Sequence, residues 1–347
     1  MWATMAGRSE KLGWSSRCAS ITGIVALAAV LLMPQIACAQ NYPNRPVRLI
    51  LPFGAGGVAD VTARIVTEKL GEKLGQRFVI ENMPGAGGIT AARAVLSSPA
   101  DGYTLALLSN GTAISVSLFK SPRFDPMTDF VPVSSMGYFD FIFVTQAGSP
   151  YRTLAEIITA AKEKPGALNV GTINVGSTQN LSAQLFKSTA GVDVAIVPFR
   201  SSPDVLIALL RGDVQMAIEN YTAVQSHIAD KAVTAVSSSG LVRTSFLPDV
   251  PTVREAGGGE FEARSWNAIF APKGTPTEVI KTLNAALREV LDMPELKKRA
   301  LELGIEARAS TPEEIAQRLK DDIEKWAKVI ERAGIEKQSP KQERKQP

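Results

Sequence analysis

The chain has 347 residues, 38 Lys and Arg against 34 Asp and Glu, a formal charge of +4, one histidine and two cysteines. Hydrophobic residues make up 45% of it, enough for one large or two medium domains that need no disulfide support. So small a charge excludes a protein held to nucleic acid by a strongly basic face, and so few cysteines exclude a disulfide scaffold.

Arg8, Lys11 and Arg17 precede an apolar run over residues 21–33, which is followed by Ala37, Cys38 and Ala39. A basic segment, an apolar stretch too short for a comfortable membrane span and a small-x-small site predict a signal peptide over residues 1–39, cut after Ala39. Both cysteines, Cys18 and Cys38, lie inside it. The exported chain then has no thiol for a disulfide, a nucleophile or a metal site. Loss of three basic residues and one acidic one leaves a net charge of +2. No later apolar run approaches 18 residues, so a soluble periplasmic protein is expected.

From residue 47, short β-branched runs alternate with amphipathic stretches. Strands are predicted at 47–53, 77–82, 103–109, 169–173, 194–199, 214–220 and 233–239, with helical patterns between most of them. This alternation argues for an α/β fold with parallel sheets. Thr-x-x-Glu capping boxes mark three helix starts: Thr153 with Glu156, Thr275 with Glu278 and Thr311 with Glu314. In the last two, Pro276 and Pro312 fall at the expected first helical position.

Two stretches break the alternation. Residues 130–146 form one long β-prone run with no helix inside it, and residues 261–272 form a second. Two such crossings predict a discontinuous first lobe, 41–140 plus 265–335, and an inserted second lobe, 141–264. A two-strand hinge would join them with a ligand cleft between, and residues 336–347 would form a flexible tail.

The chemistry concentrates at glycine-rich turns. FGAGGVAD (53–60) and PGAGG (84–88) each stand between a strand and a helix. Glycine permits positive φ and close approach of a ligand to the main chain, and the free N–H groups of the next helix favour an anion. Gly54, Gly56 and Ala59 also spell the G-x-G-x-x-A of a dinucleotide site, with Glu81 near the place of a ribose-binding acid. Export argues against that reading, as does the echoed second turn. Tight strand-helix packing without any ligand is the plain alternative for both turns, more so for the second.

Other polar clusters follow predicted strands: Ser109, Asn110, Gly111 and Thr112; Gly176, Ser177 and Thr178; Arg200, Ser201 and Ser202; Glu219 and Asn220. Ligands of open α/β sheets bind beyond such strand ends. His227 is alone, and no G-x-S-x-G, H-E-x-x-H or C-x-x-C motif occurs after residue 39. The pattern argues for binding rather than turnover, with an exported enzyme acting on a small organic acid as the alternative.

YPNRPVRLILPFGAGGVAD, ENMPGAGG, PADGYTLAL, LPDVPTVREAG and STPEEIAQRLKDDIEKWAKVIERAGI occur in this order. With these motifs the chain, over about residues 42–337, resembles the Bug/TctC family, the extracytoplasmic receptors of tripartite tricarboxylate transporters. The resemblance implies a type II periplasmic binding protein whose two α/β lobes close on a small carboxylate or dicarboxylate. It implies grip by the turn of Phe53, Gly54, Ala55, Gly56 and Gly57 and by that of Gly176, Ser177 and Thr178, largely through main-chain N–H groups, hydroxyls and waters. Asp60 would start the first helix and orient the loop. Ser109, Thr112, Arg200, Ser202, Glu219 and Asn220 complete the expected site. Several positions depart from the family's usual pattern: Ser177 for threonine, Asn180 for histidine, Glu219 for aspartate, and Arg200 with Ser201 for Lys-Gly. The implied partners are membrane permease subunits or a sensor domain, with no nucleic acid, no metal and no cofactor, and the simplest state is a monomer.

Overall fold

The computed structural model describes residues 42–339. The predicted signal peptide and residues 340–347 lie outside them. The first sheet has six strands in the order β11-β4-β10-β3-β1-β2. Its members are β1 (Val47–Leu51), β2 (Phe78–Asn82), β3 (Thr104–Ser109), β4 (Phe130–Phe139), β10 (Ser265–Pro272) and β11 (Glu306–Ala307). The second sheet has five, in the order β7-β6-β8-β5-β9. They are β5 (Phe141–Gln146), β6 (Asn169–Ile173), β7 (Ala195–Phe199), β8 (Met216–Asn220) and β9 (Val233–Ser238).

Neither sheet is purely parallel, which corrects the expectation from the strand-helix alternation. β1 runs parallel to β2 and β3, and β6 runs parallel to β7 and β8. β10 is antiparallel to β3 and β4, and β5 is antiparallel to β8 and β9. The reason lies in the two long β-prone runs. β4 passes to β5 through Asp140 alone, and β10 enters from an irregular segment, so neither has the crossover helix that a parallel neighbour requires. β3 and β10, central in their sheet, are buried along their whole length, as expected of strands covered on both faces.

The described helices are α1 (Val58–Leu74), α2 (Ile89–Leu96), α3 (Asn110–Leu118), α4 (Leu154–Glu163), α5 (Thr178–Ala190), α6 (Ser202–Arg211), α7 (Tyr221–Ala229), α8 (Thr277–Asp292), α9 (Pro294–Glu302) and α10 (Pro312–Arg332). Their apolar stripes do the packing. Leu283, Leu287 and Val290 of α8 are buried with Val66 and Leu70 of α1, while Ile315, Leu319 and Trp326 of α10 are buried with Ile114 of α3. Burying a tryptophan leaves its N–H in need of a partner. Trp326 Nε1 donates to Asn110 Oδ1 at 2.6 Å and Trp266 Nε1 to Asp322 Oδ2 at 2.7 Å.

Thr153 and Thr311 cap α4 and α10 in full capping boxes, with Pro312 at the first position of α10. Thr275 does not cap α8. Its hydroxyl turns back to donate to the Pro272 carbonyl at 2.8 Å, and Pro276 stands at the cap with no side-chain bond. The expected flexible tail is tied down at its start: Gln338 donates to Leu118 O at 2.8 Å and accepts from Lys120 N–H at 2.9 Å.

The segments that pass between the sheets are bonded to one another. Phe141 N–H donates to Ser239 Oγ at 2.8 Å, Ser239 N–H to Phe141 O at 2.9 Å and Ala263 N–H to Ser239 O at 3.0 Å. Charged groups crowd the same place. Asp140 faces Arg264 at 3.6 Å, Arg264 pairs with Glu306, and Glu262 pairs with Arg318 at 3.2 Å and Lys325 at 2.7 Å.

Candidate functional site

β1, β2 and β3 are parallel, so their C-terminal ends open on one side of the first sheet. The turn after β1 exposes Gly54, Ala55, Gly56 and Gly57. Gly56 has φ +83, a conformation that costs other residues energy. Its N–H donates to Asp60 Oδ2 at 2.9 Å. Arg64 donates to both Asp60 oxygens at 2.9 Å, and Asn82 Nδ2 reaches Asp60 Oδ1 and the Phe53 carbonyl, each at 3.0 Å. Burial raises the Asp60 carboxyl, but the bonds from Arg64, the Gly56 N–H and Asn82 outweigh it and hold the group below its ordinary range. Asp60 therefore braces the turn as an anion. Gly57 caps α1 without any side-chain bond, which leaves the helix's first N–H groups uncapped toward the exposed turn.

Ser109 and Thr112 stand at the start of α3, where Gly111 packs against Phe53 of this turn, and their hydroxyls accept main-chain N–H groups. They form a capping box at the start of α3, with Ser109 Oγ accepting from Gly111 N–H at 3.1 Å and Thr112 Oγ1 from Ser109 N–H at 3.2 Å. Asn110, between them, is wholly buried, and its Nδ2 has no partner among the described residues. The second GAGG turn is a packing element. Phe119 and Ser115 fill the space above Gly87, Pro52 lies against Gly88, and Ser115 Oγ donates to Gly87 O at 2.6 Å.

In the second sheet the ends of β6, β7 and β8 gather a similar set. Gly176 has φ +82, and its N–H approaches Asn180 Oδ1 at 3.4 Å. Ser177 caps α5 by accepting from Asn180 N–H at 3.1 Å, and Thr178 opens that helix. Ser201 caps α6. Ser202 Oγ donates to Glu219 Oε2 at 2.8 Å. Asn220 caps α7 without a side-chain bond, and its buried Oδ1 has no partner among the described residues. Arg200 is exposed and forms no ion pair among the described residues. It directly follows Phe199, the last residue of β7. His227 lies in the last turn of α7.

The two halves touch near these turns. Leu118, at the end of α3, occupies the space a side chain on Gly176 would need, and Tyr221, opening α7, packs on Gly304. Two open hollows of about 690 and 670 Å³ lie elsewhere, one beside Arg288 and Arg308 and one beside Tyr151 and Gln215, and neither includes a residue of these turns. Glu81, the acid of the dinucleotide reading, is held on β2 by a bidentate bond from Arg48 at 2.7 and 2.8 Å. Among the described residues no three His, Cys, Asp or Glu gather to hold a metal ion, and no helix is long and apolar enough to cross a membrane.

Residues 62–335 match the family model described as "Tripartite tricarboxylate transporter family receptor". The chain belongs to this receptor family. It is 33% identical to protein BugT of Bordetella pertussis over 321 residues, 92% of this chain and 98% of that protein. Among solved structures it is similar to R. palustris Rpa4515 with adipate, with 33% identity, TM-score 0.76 and coverage of 84% of this chain and 98% of that one. It is also similar to MatC (Rpa3494) from Rhodopseudomonas palustris with bound malate, with 32% identity, TM-score 0.72 and coverage of 83% and 100%. The fold is that of two-lobed α/β periplasmic binding proteins, and the family consists of periplasmic solute-binding receptors, not enzymes. The family match begins two residues after Asp60, so the turn at 53–57 lies before it.

Proposed function

We propose that this receptor captures a small carboxylate or dicarboxylate between two lobes and delivers it to a tripartite tricarboxylate transporter or a sensor domain. One observation carries the reading: each half has, at its strand ends, a helix start with no side-chain cap, α1 at Gly57 and α7 at Asn220. Main-chain N–H groups and helix dipoles suit a carboxylate oxygen, and the two similar structures hold adipate and malate. The ligand would lie between the turn at 53–57 and that at 176–178, with Ser202 and Asn220 beside it.

The lobes would divide at Asp140 and Arg264, where the hinge bends. A ligand bridging both turns contacts the closed form better and shifts the population toward it. Charge-assisted hydrogen bonds contribute about 1.5–3 kcal/mol each, so a few across the cleft suffice to favour closure. Export with cleavage after Ala39 and a monomeric state belong to the same proposal.

A thermal-shift panel on the chain from Gln40, unfolded and refolded to strip carried-over ligand, tests it. The panel holds mono-, di- and tricarboxylates, amino acids and NAD. A true ligand at about 100 times its Kd stabilises the fold by about 2.7 kcal/mol. Stabilisation by a carboxylate and not by NAD supports the proposal, and stabilisation by NAD alone overturns it.

A further inference from the structure

Glu219 is the penultimate residue of β8 and is completely buried, yet only one of its oxygens is satisfied. Oε2 accepts from the Ser202 hydroxyl at 2.8 Å and the Asn220 N–H at 3.3 Å, while Oε1 has no partner among the described residues. Three helices of the second half begin around this one carboxyl: α5 through Gln179, α6 at Ser202 and α7 at Asn220. Among the described residues no cation from the surrounding elements balances it. β5 sets Ile142 opposite, α5 offers Gln179 and Asn180, and α7 continues with Tyr221. Asp204 of α6 is exposed and bonds Ser201, and Arg200 is exposed at the end of β7. Burial therefore pushes the carboxyl up to about 7, against the opposing bonds from Ser202 and Asn220 and the influence of the Gln179 amide.

We infer that Glu219 is a charge-selecting residue of the ligand site: neutral, it admits a carboxylate at the starts of α6 and α7, and ionised, it repels one. The inference rests on the carboxylate-receptor reading above. Its consequence is proton-linked capture. An anion arriving near Glu219 favours the protonated form, so up to one proton passes from solvent to Glu219 as the ligand binds, and none is released from it. Affinity for a carboxylate then falls as pH rises beyond the midpoint, by about tenfold per pH unit when a full proton is taken up. A ligand that set an ammonium group against Glu219 would show the opposite slope.

The test is calorimetric titration of succinate, malate and adipate into the chain from Gln40, between about pH 5.5 and about pH 9, in two buffers of different ionisation enthalpy. Wild type is expected to weaken with rising pH and to take up protons on binding. E219Q, which cannot ionise, is expected to give a flat profile with no proton uptake attributable to this site. S202A, which removes a donor to the ionised carboxylate, is expected to move the midpoint to higher pH. A wild-type pH profile in E219Q overturns the inference. So does difference infrared spectroscopy of the free protein against E219Q, if it finds Glu219 already ionised at about pH 5.5. Folded protein that binds none of the acids, in wild type or either variant at any pH, overturns the carboxylate-receptor reading and this inference with it.

Discussion

Leu118 fills the space that a side chain on Gly176 would occupy. Leu118 closes α3 of the first half, and Gly176, at φ +82, belongs to the turn that opens α5 of the second. G176A meets two costs: about 1–2 kcal/mol for a left-handed backbone with a Cβ and about 1–3 kcal/mol for overpacking against Leu118. Denaturant unfolding should find G176A destabilised by roughly 2–5 kcal/mol. Combined with L118A it should cost less than the sum of the single variants, by about 1 kcal/mol or more. Strict additivity would mean that the two residues do not share the space.

Gly56 offers the opposite test, because nothing lies within 4 Å of the position its Cβ would take. Its constraint is φ +83 and the N–H bond to Asp60. G56V should therefore cost about 1–2 kcal/mol of stability and leave the fold intact while abolishing carboxylate binding. Circular dichroism with calorimetry checks both, and a folded G56V that binds like wild type would remove the turn from the site.

Asp60 should matter to the same turn through its geometry. D60A deletes the acceptor for Gly56 N–H, Arg64 and Asn82 together. Loss of hydrogen bonds to a charged group costs about 1.5–3 kcal/mol each at most, and part is recovered by hydration because the turn is exposed. The expected result is a modest loss of stability with a larger loss of affinity. Equal affinity in D60A and wild type would show that the turn holds its shape without the brace.

Asp140 gives a pH-dependent expectation. Burial, resisted by Arg264 and reinforced by Glu262 and Glu306, pushes its carboxyl up from 3.8 to about 6. An acid that holds its proton longer when folded lowers stability as pH rises between those two values, and the loss is complete above about 6. The decline should be on the order of 3 kcal/mol, with Glu219 adding its own between 4.5 and about 7. D140N should flatten the lower part of the curve in denaturant melts. The same curve in D140N would locate the proton elsewhere.

What was legible in the sequence was what rests on local pattern. NVGTI at 169–173 reads as a strand and is one, and the apolar stripes of α8 and α10 point inward as their spacing requires. The passage from one sheet to the other within 130–146 was visible because that run carries no helix signal, although the antiparallel pairing it imposes was not. Thr275 misled because Thr-x-x-Glu states a spacing, while a hydroxyl free to bond Pro272 O takes the nearer acceptor. The box of Ser109 and Thr112 escaped notice because threonine stands where glutamate usually does. The pairing of Asn110 could not be read: its partner Trp326 lies 216 residues away. Nor could the upward push on the Glu219 carboxyl, which comes from burial by other elements against the opposing bond from Ser202.

The central claim is that two lobes close on a carboxylate, and a distance between them tests it most directly. The two cysteines, Cys18 and Cys38, precede Gln40, so a pair introduced into the chain from Gln40 can be labelled without background. R93C and I207C, at exposed positions of α2 and α6, put one spin label on each half. Double electron–electron resonance, run with and without a dicarboxylate at saturation, should show the distance distribution shift to shorter values and narrow. An unchanged distribution with a ligand that calorimetry has shown to bind would contradict closure.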